Sequence, residues 1–175
     1  AECINRTMAE VLARSHAAGE IQHIHATGRG GWETTCRQLE QLGVPLDADG
    51  IRVREYIDDM PRCMAAADIV ISRCGAMTLS ELPAAGKPSI LIPSPNVAEN
   101  HQYYNAMALV NRGAAVCIEE KNLTADGLWS TLQELVLSPE HLKKMGENAR
   151  QAAIFDASDR IYAVIMEVLA QKTAR

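Results

Sequence analysis

The chain reads as α/β, a doubly wound parallel sheet with helices on both faces. Helix-spaced and strand-like segments alternate from one end to the other. Two apolar runs, Ile69-Val70-Ile71 and Ile90-Leu91-Ile92, are short, unbroken and bounded by turn residues, as strands buried on both faces are. Glycines, two of them followed closely by proline, close the intervening helices at Gly43-Val44-Pro45, Gly86-Lys87-Pro88 and Gly113.

In order, residues 2–18 have Ile4, Met8, Val11 and Leu12 on one helical face. Residues 20–26 form a strand that stops at Thr27-Gly28-Arg29-Gly30-Gly31, and a helix over about 32–43 follows. Residues 51–57 alternate apolar and polar like a half-buried strand, before a short helix around 60–67 and a strand at 68–72. The second half continues with a helix over 77–85, a strand at 89–92, a helix near 99–112 and a strand at 114–118. Helices near 124–137, 139–152 and 157–171 finish the chain. The order opens inside a helix, whereas a doubly wound unit opens with a strand at the centre of its sheet. The expectation is a fragment, a single domain over residues 1–175 that lacks its first strand and leaves two interior strands with unpaired edges.

Composition narrows the function. The 175 residues are 47% hydrophobic and 22% charged, an ordinary balance for a globular domain. A net charge of −5 with no basic stripe argues against a nucleic-acid partner. No run approaches the roughly 20 apolar residues that span a bilayer. Five scattered cysteines without a C-x-x-C pattern fit a reducing, cytoplasmic compartment and indicate no zinc site.

The segment Ser72-Arg73-Cys74-Gly75-Ala76-Met77-Thr78-Leu79-Ser80-Glu81 carries the chemistry. A strand, a tight glycine turn and a helix N-terminus make an anion-binding corner, where unpaired amides and the helix dipole favour negative charge. Glu81, one turn in, is poorly placed for phosphate but well placed to accept hydrogen bonds from a ribose diol. A nucleotide is expected. The competing readings are a solvated first-turn carboxylate at Glu81 and a helix cap at Thr78. Arg73 suits either a phosphate or an ion pair with a carboxylate such as Asp68. His23 and His25 point to one side of a strand but lack an evident third metal ligand, so strand packing or a site-facing histidine is favoured and no metal site is expected. The neighbours Asp58 and Asp59 do not face each other on a helix, and capping by Asp58 accounts for them better than a glycosidase pair.

Ordered motifs add a resemblance. Tyr56-Ile57-Asp58-Asp59-Met60, the segment Ser72–Glu81, Ile92-Pro93-Ser94-Pro95 and Asn100-His101-Gln102-Tyr103-Tyr104-Asn105-Ala106 together resemble the C-terminal half of the MurG family. These bacterial glycosyltransferases add N-acetylglucosamine to lipid-linked muramyl-pentapeptide. The resemblance covers essentially the whole chain and implies the Rossmann-like C-terminal domain of a GT-B enzyme, with UDP-GlcNAc as donor. It implies that Ile57 pairs with uracil and that Glu81 holds the ribose. Ala76, Met77 and Thr78 would line the diphosphate, and His101 and Gln102 would contact the donor sugar. The family often has glutamine where this chain has His101. The family's Gly-Gly-Ser loop is expected just upstream of Ala1. Acceptor (lipid I) binding, the catalytic base and membrane contact on the cytoplasmic face belong to the N-terminal half, so no catalytic residue is expected in this one. His101 is therefore not expected to act as the base. No cofactor or essential metal is implied, and no D-x-D motif occurs. A stand-alone donor subunit working with a separate acceptor protein, a glycolipid synthase and a UDP-GlcNAc epimerase are the competing assignments.

Overall fold

Helix α1 (Glu2–Ala18) buries Ile4, Met8, Val11 and Leu12, the face its spacing predicts. The computed structural model describes residues 2–173. Strand β1 (His23–Ala26) follows, then a single helical turn and α2 (Trp32–Gln41), β2 (Ile51–Arg54) and α3 (Met60–Ala66). Next come β3 (Val70–Ser72), α4 (Ala76–Ala85) and β4 (Ser89–Leu91), then α5 (His101–Val110) and β5 (Ala115–Cys117). The last helices are α6 (Ala125–Val136), α7 (Pro139–Ala152) and α8 (Ala157–Thr173).

Every ladder is parallel, and the ladders form two groups, β1–β2 and β3–β4–β5. Among the described residues β1 pairs only with β2, and β3 only with β4. In a doubly wound order these two strands flank the central position, so each has one edge without a ladder partner. Ile24, on the face of β1 opposite buried His25, is half exposed. The two groups nevertheless share one core. Ile51 and Val53 of β2, Leu12 of α1, Ile90 and Ile92 around β4, and Leu128 and Leu132 of α6 belong to a single buried cluster. A second cluster, around Leu82, Leu91, Ala106 and Ala149, joins α4, β4, α5 and α7.

Strands are shorter than the sequence suggests. The expected strand at 20–26 begins only at His23, the one at 51–57 ends at Arg54, and the one at 68–72 begins at Val70. Backbone pairing continues past β1 and β2, with Thr27 N–H donating to Arg54 O and Gly28 N–H to Glu55 O, but the chains diverge before Ile57. Helix α5 begins two residues later than the spacing suggests. Glu99 and Asn100 both take positive φ of 52° and break the helical path before His101.

Local chemistry sets the helix ends. Asp59, not Asp58, caps α3, its carboxylate accepting the Arg62 N–H at 3.2 Å. The Thr124 hydroxyl likewise accepts the Gly127 N–H at the start of α6. Gly86 ends α4 in the left-handed region, φ 63°, which costs glycine nothing. There α7 crosses closely: a Cβ on Gly146 would lie 2.9 Å from the Gly86 carbonyl oxygen. Arg150 of α7 donates to the Ala84 carbonyl and lies over the Phe155 ring, 4.7 Å from its centre.

Candidate functional site

The carboxyl ends of the strands, where open α/β sheets bind ligands, gather the candidate residues. Strand β3 leaves its ladder at Ser72, and Arg73, Cys74 and Gly75 make the turn into α4. Gly75 is the N-cap of α4, extended at φ −66° and ψ 157°, and supplies no side-chain cap. Thr78 is therefore not the cap, and the first intrahelical bond is Leu79 N–H to Gly75 O. Amides earlier than Leu79 have no carbonyl partner within the helix, which leaves a donor-rich end facing solvent. Ala76 and Met77 are exposed and Thr78 is half-buried. Glu81 is exposed on the same helix and makes no ion pair or side-chain hydrogen bond among the described residues. The helix thus presents amides, a hydroxyl and a carboxylate within two turns.

Helix α5 packs against α4. Asn105 donates from Nδ2 to the Cys74 carbonyl at 3.2 Å, which ties α5 to the turn before α4. His101, exposed at the first position of α5, uses Nδ1 on the Ala98 carbonyl at 2.9 Å. Gln102 is half-buried, and its Oε1 accepts the Ser94 N–H at 2.9 Å. Because the partner is a main-chain donor, the amide oxygen must face it, and the Gln102 NH2 remains available as a donor. Ile57, half-buried, stands in the exit loop of β2, past the end of the β1–β2 ladder. The predicted residues therefore fall into three groups, on α4, on α5 and in the loop after β2.

Arg73 makes the carboxylate ion pair that one sequence reading allowed, but with a different partner. Its guanidinium pairs with Glu120, not Asp68, and Nη1 donates to the carbonyls of Ile92 at 3.3 Å and Pro93 at 3.0 Å. Beside it, burial pushes the Cys74 thiol up to about 12, with Cys117 adding to the rise and Arg73 opposing it. Cys74 is a packed neutral thiol.

His23 and His25 are packing residues. The Ser15 hydroxyl donates to the Ile21 carbonyl at 3.1 Å and receives the Nε2 proton of His23 at 2.8 Å. Burial lowers the His23 pKa to about 4. Burial, with His23 nearby, lowers His25 to about 4, and its Nε2 is buried without a hydrogen-bond partner. Among the described residues no group of three His, Cys, Asp or Glu side chains is placed to hold a metal ion. The Thr27–Gly31 turn is held from α1, where buried Asn5 donates to the Thr27 carbonyl at 2.8 Å.

An open cleft of about 400 Å³ lies between the start of α1, the start of α5 and the exits of β4 and β5, lined by Cys3, Arg6, Ser94, Asn100, Tyr103 and Lys121. None of the predicted site residues lines it. It touches them through Ser94, the partner of Gln102, and through Glu120, the partner of Arg73. Another cleft of about 460 Å³ lies around Cys36 and Pro45 at the end of α2, and none of them lines it either.

The pattern of the glycosyltransferase family 28 C-terminal domain matches residues 1–161. The chain belongs to that family. A relative from Desulfitobacterium hafniense (strain DSM 10664 / DCB-2) is 43% identical over 167 residues, covering 95% of this chain and 45% of the relative. It is named UDP-N-acetylglucosamine--N-acetylmuramyl-(pentapeptide) pyrophosphoryl-undecaprenol N-acetylglucosamine transferase. A relative of the same name from Acetivibrio thermocellus is 41% identical over 174 residues, covering 99% of this chain and 46% of the relative. The chain thus spans less than half the length of these relatives. The crystal structure of Acinetobacter baumannii MurG matches with TM-score 0.80 at 26% identity, covering 95% of this chain and 46% of that one. A UDP-N-acetylglucosamine 2-epimerase matches with TM-score 0.64 at 17% identity, over 98% of this chain and 40% of that one, a likeness of fold alone.

Some groups of this family 28 domain were not singled out from sequence. Glu120, Ser94 and Asn5 matter through their partners Arg73, Gln102 and Thr27, and Asn105 through Cys74. Two signals were available: Ser94 and Asn105 lie inside the quoted motifs, and Ser94 and Glu120 stand three residues past strand ends, on the side where the sheet meets ligands.

Proposed function

We propose that the chain holds UDP-N-acetylglucosamine as the donor half of an inverting hexosyltransferase that converts lipid I to lipid II in peptidoglycan synthesis. The observation that carries this reading is the start of α4, a helix of ten residues with no side-chain cap and an exposed carboxylate further along it. A nucleoside diphosphate suits it: phosphates take the open amides of Ala76–Thr78 and the Thr78 hydroxyl, and Glu81 accepts from the ribose. Ile57 supplies main-chain contacts to uracil, and Gln102, with His101 beside it, meets the sugar hydroxyls. The names of the relatives, which specify UDP-N-acetylglucosamine, agree with that ligand class.

In the transfer an acceptor hydroxyl attacks the anomeric carbon on the face opposite UDP, and the bond from that carbon to the diphosphate oxygen breaks. The departing oxygen gains negative charge. Donors already aimed at it stabilise the transition state without reorganising. In this reading the donors are helix amides and Thr78, with no cofactor and no metal assigned a part. Acceptor binding, the base and contact with the cytoplasmic face of the membrane are assigned to a second half, as in a two-domain enzyme. The 175-residue chain alone should then give no product with lipid I.

Titration calorimetry with UDP tests the donor site. Glu81→Ala should weaken UDP binding about tenfold, the scale of losing hydrogen bonds to a charged group. Glu99→Ala, which removes an exposed carboxylate before α5, should leave it unchanged. Equal losses in the two variants, or no binding of UDP by the parent chain, would overturn the reading.

A further inference from the structure

Arg73 sits in the turn between β3 and α4, yet its side chain runs sideways across the carboxyl edge of the sheet. Nη1 donates to the carbonyls of Ile92 and Pro93, just past β4, and Nη2 meets the Glu120 carboxylate just past β5. One side chain therefore ties together the exits of β3, β4 and β5. The pair is substantially buried, with side-chain exposures of 24% for Arg73 and 23% for Glu120. On the α5 side of the same turn, Asn105 holds the Cys74 carbonyl at 3.2 Å. Gly75 and the first turn of α4 follow directly from this doubly held segment.

The geometry points to Arg73 and Glu120 as positioning residues, which aim the first amides of α4 at a nucleotide diphosphate without touching it. This rests on the proposed diphosphate position at the start of α4. A guanidinium can serve two carbonyls and a carboxylate at once because its donors form a planar fork. An ammonium group cannot span the same three partners. Removing the charge of either member leaves the other partly desolvated and frees the turn to shift. The opening amides then lose their common direction, while the ribose and base contacts persist.

A direct phosphate contact by Arg73 makes the opposite prediction for Glu120. If Arg73 bound phosphate, neutralising Glu120 would release the guanidinium toward the ligand and tighten UDP. If the pair positions the helix, the same change weakens UDP.

The test uses the isotope-labelled full chain, with UDP and uridine titrated separately by NMR, and with amide exchange of Leu79, whose N–H bonds Gly75 O at 3.1 Å. Glu120→Gln should lower UDP affinity about tenfold and uridine affinity by less than about twofold, since uridine lacks the phosphates. Exchange at Leu79 should quicken several-fold without ligand, as the first turn of α4 opens more often. Arg73→Lys should behave alike, and it carries the same measurements if the glutamine variant does not fold. Unchanged or tighter UDP binding in Glu120→Gln would overturn the inference, and so would equal losses for uridine and UDP. If the parent chain binds no UDP, the proposed function fails by itself. Leu79 exchange then still decides the clamp, and an unchanged rate sinks it.

Discussion

The side-chain oxygen of Gln102 accepts the main-chain N–H of Ser94 at 2.9 Å. This bond joins α5 to the loop leaving β4 and commits one end of the amide, so any contact with a ligand must use its NH2. Gln102→Glu keeps an acceptor for Ser94 and deletes the donor. The added charge burdens UDP and UDP-GlcNAc alike, so the ratio of the two affinities isolates the lost donor. The preference for UDP-GlcNAc over UDP should fall by up to about tenfold, the worth of one hydrogen bond. A ratio unchanged from the parent chain in calorimetry would remove Gln102 from the sugar site.

Asp58 and Asp59 are adjacent carboxylates with different work. Only Asp59 accepts the Arg62 N–H, and the Arg62 guanidinium also pairs with it at 3.4 Å on the surface. Asp59→Ala should cost about 1 kcal/mol of stability, the usual loss of an N-cap, and Asp58→Ala close to nothing. Urea unfolding of both variants makes the comparison. Equal midpoints would show that the cap contributes no stability.

Much of the fold was legible because it depends on local pattern. The one-sided spacing of Ile4, Met8, Val11 and Leu12 and the glycine that ends α4 at Gly86 placed their helices without reference to anything distant. Strand ends were harder. Ile57 returns to the register of Ile51 and Val53, but Glu55 interrupts the alternation one residue past Arg54, where β2 ends, and the expected strand ran through that break. The candidate site was legible as a glycine turn entering a helix with a carboxylate on it. Its supports were not, because they join residues that only the sheet brings together: Arg73 with Glu120, and Asn105 with the Cys74 carbonyl. Sequence proximity favoured Asp68 as the partner of Arg73, and the parallel order of β3, β4 and β5 made it Glu120.

Gly146 lies where α7 crosses the end of α4. A methyl group there would stand 2.9 Å from the Gly86 carbonyl oxygen, and backbone has little room to yield. Gly146→Ala removes a helix-interior glycine, which alone would stabilise by about 1 kcal/mol. The clash should reverse that sign and leave a net loss of about 1–2 kcal/mol. Gly30→Ala, where nothing lies within 4 Å, is the control for fold and expression. A gain in melting temperature for Gly146→Ala would mean that the two helices separate at little cost.

The buried histidines of β1 should make stability depend on pH. Burial lowers His23 and His25 from 6.5 to about 4 in the folded chain, while the unfolded chain titrates them near the ordinary value. Between those limits the unfolded state binds more protons, so stability rises with pH and is lost as pH falls from about 6.5 toward 4. At pH 5 each histidine has cost about 2 kcal/mol relative to neutral pH, by 1.36 kcal/mol for each pH unit. Carboxylates add their own dependence, so the informative quantity is the difference between the parent chain and His25→Gln. That variant should flatten the fall in stability between pH 6 and 4.5 by about 1 kcal/mol per pH unit. Its stability at pH 7.5 can move in either direction without affecting the slope. Parallel denaturation curves for the two proteins across this range would show that His25 titrates as freely when folded as when unfolded.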